Sequence, residues 1–160
     1  MRTQEPSHIL LPSPEVRVEA RMLALGKDHV ESLLWSVGGE TGLRLAIGMG
    51  STELVSVIEK SPGLSQICQL ADGSIGGHLF AQLRDPSHAY IQNVWVSPGI
   101  RRSHAALSMV VAAVAAARAS APDCTISAVV LAGNVEAEGL FRKAGFRATQ
   151  QPSSTLFHFP

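Results

Sequence analysis

The segment from His88 to Ser120 constrains this chain more than any other. It opens uncharged and rich in β-branched and aromatic residues (Tyr90-Ile91-Gln92-Asn93-Val94-Trp95-Val96), the composition of a half-buried strand. Ser97-Pro98-Gly99 breaks that run, Arg101 and Arg102 follow, and a helix rich in Ala and Val completes the unit. A strand, a tight basic turn and a helix N-terminus together form a geometry that binds phosphate. The first helical turn presents backbone N–H groups without intrahelical partners and a partial positive charge. Arginine adds fork-shaped donors that suit phosphate oxygens. An ordinary strand-to-helix connection with a solvated basic turn accounts for the same residues.

At 160 residues the chain has the length of one domain with a sizeable core. Its 13 basic and 13 acidic residues balance, and no Lys/Arg block forms a nucleic-acid footprint, so no nucleic-acid partner is expected. No apolar run reaches the roughly 18 residues that a membrane span needs, and no secretory leader pattern opens the chain. No membrane association is expected, and a cytoplasmic location is. Cys68 and Cys124 stand far apart, outside any Cys/His cluster, which predicts two buried free thiols and no metal site.

Pro6, Pro12 and Pro14 predict a flexible N-terminal arm over residues 1–14, followed by a single domain over 15–160. Glu15–Glu19 alternates charged and apolar residues and reads as an edge strand. From Asp28 the period becomes helical through Val30, Leu33, Leu34 and Val37, with Gly38-Gly39 as the stop. Leu43–Gly50, punctuated by glycine, reads as a loop, and Ser51 as the N-cap of a helix that Pro62-Gly63 ends. Leu64–Leu70 and Ser74–Leu83 read as strands joined at Asp72-Gly73. Beyond the central unit, Thr125–Leu131 is a compact strand and Val135–Gly145 a short helix. Phe146–Thr149 and Thr155–Phe159 close the chain as two strands. The expected fold is α/β (α+β): a mixed sheet of six to seven strands and about four helices, in the order β-α-α-β-β-β-α-β-α-β-β. Trp35 and Trp95 are expected in the core or a pocket wall.

The run Asn134-Val135-Glu136-Ala137-Glu138-Gly139-Leu140-Phe141-Arg142-Lys143-Ala144-Gly145-Phe146 follows a strand and resembles the N-x-x-A-x-x-L/F-Y-x-x-x-G-F signature of the GNAT N-acetyltransferases. It agrees at Asn134, Ala137, Leu140, Gly145 and Phe146. Arg101-Arg102-Ser103-His104-Ala105-Ala106 is similar to the family's Q/R-x-x-G-x-G/A pyrophosphate loop, matching at Arg101 and Ala106. The resemblance runs from about Val16 onward and is densest from Ile75 to Phe146.

The resemblance implies acetyl-CoA as co-substrate, bound where two central parallel strands splay apart. Val94, Trp95 and Val96 would offer backbone groups to the pantetheine arm, and the Arg101–Ala106 loop would hold the pyrophosphate. Asn134 would bond pantetheine or cap its helix, and Phe141 would lie in the core or beside the thiol. Three positions depart from the family. His104 replaces a loop glycine, and either crowds the phosphates or, as an imidazolium, helps bind them. Phe141 stands where many members carry the tyrosine that protonates the departing thiolate. The fourth and fifth strands hold no carboxylate to act as base, which leaves Tyr90 and His88 as candidates, acting directly or through water.

The implied activity is direct transfer of an acetyl group from acetyl-CoA to a primary amine of a small molecule or peptide, in a ternary complex. The alternative is a degenerate GNAT-fold protein that binds acyl-CoA weakly or not at all and serves as a regulatory or interaction module. A homodimer, pairing terminal strands or the Ala-rich helix, is a further expectation.

Overall fold

The computed structural model of the protein describes residues 20–160. The expected arm over 1–14 and the expected edge strand Glu15–Glu19 lie outside the described residues. The elements run β1 (Ala20–Ala24), α1 (Val30–Val37), α2 (Gly39–Ile47), α3 (Ser51–Lys60), β2 (Gln66–Leu70), β3 (Ile75–Asp85) and β4 (His88–Val96). They continue with α4 (Ala105–Ser120), β5 (Thr125–Leu131), α5 (Val135–Lys143), β6 (Arg147–Gln150) and β7 (Ser154–Phe159). The sheet has seven strands in the order β1-β2-β3-β4-β5-β7-β6. Every neighbouring pair is antiparallel except β4 and β5, which α4 joins as a parallel crossover.

Two cores lie on opposite faces of this sheet. On one, α4 and α5 cover Leu79, Ala81, Ala89, Ile91, Ile126, Ala128 and Val130. Small residues let α4 lie close, and Ala105, Ala113 and Ala117 are all buried there. On the other, α1, α2 and α3 cover Ile67, Ile75 and Phe80 through Leu33, Leu43, Ile47 and Leu54.

The stretch Leu43–Gly50, expected as a loop, is corrected by α2, which brings the helices to five. Leu43 and Ile47 stand one helical turn apart and are buried to 0% and 2% exposure. Gly48 and Gly50, the glycines that suggested a loop, instead cap the end of α2 and the start of α3. Gly38 caps α1 in the left-handed region at φ +86°. At Gly42 a Cβ would stand 1.7 Å from the Val37 carbonyl oxygen, so only glycine lets α1 and α2 meet there.

Ser51 is corrected too: Gly50 takes the cap position, and Ser51 is the first helical residue of α3. Its amide donates to the Glu40 carboxylate at 3.0 Å, and its hydroxyl does the same. Trp35, expected inside, is 83% exposed on α1. Cys68 and Cys124 are buried free thiols.

Candidate active site

The parallel pairing of β4 and β5 ends at Ile91 and Ala128. Both strands run on, β4 to Val96 and β5 to Leu131, so the sheet opens along its central seam. A bulge accompanies the opening. Phe80 pairs with Asn93 and Ala81 with Ile91, which leaves Gln92 as the extra residue. A bulge re-aims side chains, and here it sets two consecutive residues on one face. Gln92 reaches across to donate to the Ile47 carbonyl of α2, while Asn93 shares the face of Phe80 and His78. Val94 and Val96 pack on the α4 side.

A cleft of about 1060 Å³ occupies the opening, at the upper end of ligand-site volumes. The structure brings Val94, Trp95, Val96, Asn134 and Phe141 to its wall, with Arg101, Arg102, His104, Ala105 and Ala106 at its rim. Ser103 is not among the lining residues; its hydroxyl donates to the Ile100 carbonyl and ties down the loop. Arg101 Nε donates to the Val96 carbonyl at 3.3 Å, fastening the basic loop to the end of β4. Arg102 and His104 both take left-handed backbone conformations, at φ +64°. His104 thus adopts the φ > 0 conformation that glycine reaches without strain and caps α4 from there. Ala105, Ala106 and Leu107, whose amides at the start of α4 have no intrahelical partners, line the cleft.

Asn134 caps α5, its side-chain oxygen accepting from the Ala137 amide at 3.2 Å. Phe141 is 4% exposed and sits in an aromatic cluster, 5.2 Å from Phe146 and 5.4 Å from Phe157 between ring centroids. It also lines the cleft.

Tyr90 and His88 are not brought to this cleft. They stand at the other end of β4, where it still pairs with β5. His88 Nε2 lies 2.6 Å from Ser127 Oγ, and the Arg84 guanidinium stacks 3.9 Å over the Tyr90 ring. The titratable side chains lining the cleft, among the described residues, are Arg101, Arg102, His104, Glu136 and Lys143.

The sequence reads His78 as a strand residue, structural or solvent-facing rather than catalytic, and the structure buries it. It is 3% exposed, held between Phe80 (ring centroids 4.7 Å apart) and Trp95 (5.5 Å). Its Nε2 lies 2.9 Å from Asn93 Oδ1, and its buried Nδ1 has no partner among the described residues. Burial pushes its pKa down to about 4, with the Asn93 hydrogen bond opposing. A histidine inside an apolar strand gives no such signal; only the pairing of β3 with β4 sets it beside Asn93.

No curated protein matches the chain by sequence. Among solved structures, Ard1 from Thermoplasma volcanium is 18% identical, covers 87% of this chain and 94% of its own, and superposes with a TM-score of 0.64. The PaiA N-acetyltransferase of Thermoplasma acidophilum, solved with coenzyme A, is 13% identical, covers 88% and 98%, and gives 0.67. Arabidopsis thaliana Naa50, solved with a bisubstrate analogue, is 12% identical, covers 88% and 97%, and gives 0.65. At such identities these likenesses speak to the fold alone. The sequence profile of the acetyltransferase (GNAT) family matches residues 24–146, from the end of β1 to the residue before β6. This chain belongs to the GNAT acetyltransferase family.

Proposed function

We propose that this protein transfers an acetyl group from acetyl-CoA directly to a primary amine of a small molecule or peptide. The observation that carries the reading is the splayed β4/β5 seam facing a basic, left-handed loop at the start of α4. The coenzyme A of the PaiA structure and the bisubstrate analogue of the Naa50 structure support it as properties of proteins with this fold. In this reading the α4 amides, Arg101 and Arg102 hold the pyrophosphate, and the backbone edge of β4 over Val94–Val96, unpaired by β5 and with its Val96 carbonyl met by Arg101, accepts the pantetheine as an added strand. The amine nitrogen attacks the thioester carbon, and a backbone amide of that edge, around Val96, stabilises the oxyanion. The C–S bond then breaks, and the thiolate leaves.

Side-chain demand is low. Phe141 donates no proton, but a thiol with a reference pKa of roughly 8.5 is a tolerable leaving group near neutrality. Tyr90 and His88 are assigned no direct contact with the amine. An amine that arrives neutral gives up its proton to water once attached. Holding amine and thioester together supplies most of the acceleration.

A second reading, a non-catalytic acyl-CoA-binding module, draws on Phe141 and on the bulk of His104 at the rim. Coenzyme A release, measured over a panel of amines, amino acids and peptide N-termini, separates the two. Turnover above hydrolysis supports transfer; binding of acetyl-CoA without turnover on any amine supports the module.

A further inference from the structure

The His78–Asn93 pair carries an inference about the acceptor, and it rests on the acetyl-transfer reading. We propose that Asn93, oriented by His78, is the group that recognises an oxygen beside the attacked amine, so that α-amino carbonyl compounds are the acceptor class. Amino-acid amides, amino acids and peptide N-termini carry that oxygen; simple alkylamines do not.

Asn93 lies on the cleft wall at the point where the seam opens, and the bulge at Gln92 turns it toward the α1–α3 face. Its Oδ1 is engaged by His78 Nε2 at 2.9 Å. An oxygen only accepts, so this bond requires the proton on Nε2 and leaves Nδ1 as a bare lone pair. Nδ1 is the one buried side-chain polar atom without a partner among the described residues. With Oδ1 occupied, the two N–H groups of Asn93 Nδ2 are directed away from His78, and the described residues give them no acceptor. Donors held in place on the wall of a ligand cleft select for an acceptor atom on the ligand.

The orientation is stiff. An asparagine amide in water turns freely, and either end can meet a ligand. Here the ring that fixes it is 3% exposed and clamped between Phe80 and Trp95. His78 touches no substrate in this account, so it is a positioning residue, while Asn93 makes the contact.

The test has two readouts. Nitrogen NMR on the labelled full chain reads the His78 tautomer and the Asn93 side-chain amide, with coenzyme A present and leucinamide or isoamylamine added. Steady-state acetylation of the same two amines reads specificity in Asn93→Ala, His78→Phe and His78→Gln. Phenylalanine keeps the ring stack and removes the donor; glutamine removes the ring and keeps a donor near the Nε2 position.

The expected result is an Nε2–H tautomer, with Asn93 amide resonances that move on adding leucinamide and stay in place with isoamylamine. Asn93→Ala and His78→Phe should each raise the KM for leucinamide about tenfold with little change in kcat. The double variant should be no worse than either single one, and His78→Gln should stay near wild type. An Nδ1–H tautomer would overturn the proposal, since Asn93 then presents its carbonyl to the cleft. Turnover of both amines that falls equally in Asn93→Ala overturns it while leaving acetyl transfer intact. A structural role for the ring predicts the reverse order, with His78→Gln the most damaged. No turnover of any amine, together with no shift at Asn93, overturns both readings.

Discussion

Arg102 and His104, separated by one residue, share a left-handed backbone with φ +64°. A non-glycine residue in that region is destabilised by roughly 1–2 kcal/mol. The family loop carries glycine at the position of His104, and this chain keeps the backbone shape with a bulkier side chain. The His104→Gly variant should therefore gain stability, by about 0.5–1 kcal/mol once the greater freedom of glycine in the unfolded chain is subtracted. Urea unfolding measures this, and a loss of stability would mean that the imidazole makes contacts worth more than the strain. Acetyl-CoA affinity should change less than threefold, because His104 already holds the left-handed backbone that glycine would take there.

Gly42 makes a second prediction. A methyl group there collides with the Val37 carbonyl, which is backbone and has no room to withdraw. Gly42→Ala should lose about 2–4 kcal/mol, although alanine is the better helix former by roughly 1 kcal/mol. Circular dichroism across a urea series decides it; an increase in stability would show that α1 and α2 do not meet as described.

Asn134 holds the N-terminus of α5 through its bond to the Ala137 amide. Asn134→Ala should destabilise by about 1 kcal/mol, and Asn134→Asp should leave stability near wild type, because aspartate caps equally well. A comparable loss in both variants would point to a role for the amide nitrogen.

His78 gives the chain a pH dependence. Burial lowers its pKa to about 4 in the folded protein, against an unfolded value near 6.5. Between these values the unfolded chain binds the extra proton, so stability falls as pH drops from 6.5 toward 4 and the loss levels off below that. The contribution is on the order of 3 kcal/mol. Carboxylates held low by neighbouring hydroxyls and amides, Asp72, Asp85 and Glu40, add losses further into acid in any variant. Urea midpoints at pH 7 and pH 4.5 should therefore converge more in His78→Phe than in wild type. Equal slopes in the two proteins would contradict a neutral buried imidazole.

Much of this architecture was legible in the residues. The β-branched and aromatic composition of Tyr90–Val96, the break at Pro98-Gly99 and the alanine-rich run after it predict β4, the loop and α4. Asn134 and Gly145 likewise bracket α5. The helix α2 was not legible, because glycine supports two opposite readings. Gly38 does end a helix, but Gly42 and Gly48 serve one, by close approach and by capping. Ser51 misled for a related reason: its hydroxyl bonds Glu40, a residue of the preceding helix, and local sequence cannot show that. Of the site, the roles of the loop and the β4 edge are what the family resemblance of Arg101–Ala106 and Asn134–Phe146 implies. The placement of Tyr90 and His88 away from the cleft depends on where the β4/β5 pairing ends, at Ile91 and Ala128. The His78–Asn93 pair depends on strand register and a bulge, which periodicity does not report.

Titration calorimetry of acetyl-CoA into the purified full chain at moderate salt tests the central claim most directly. The account predicts a micromolar dissociation constant, on the order of −8 kcal/mol. Alanine at Arg101 or Arg102 should weaken it about tenfold, more at low ionic strength, as expected for charge-assisted phosphate contacts. Absence of heat at saturating acetyl-CoA, with the chain folded, would contradict the account and leave the opened β4/β5 seam without its ligand.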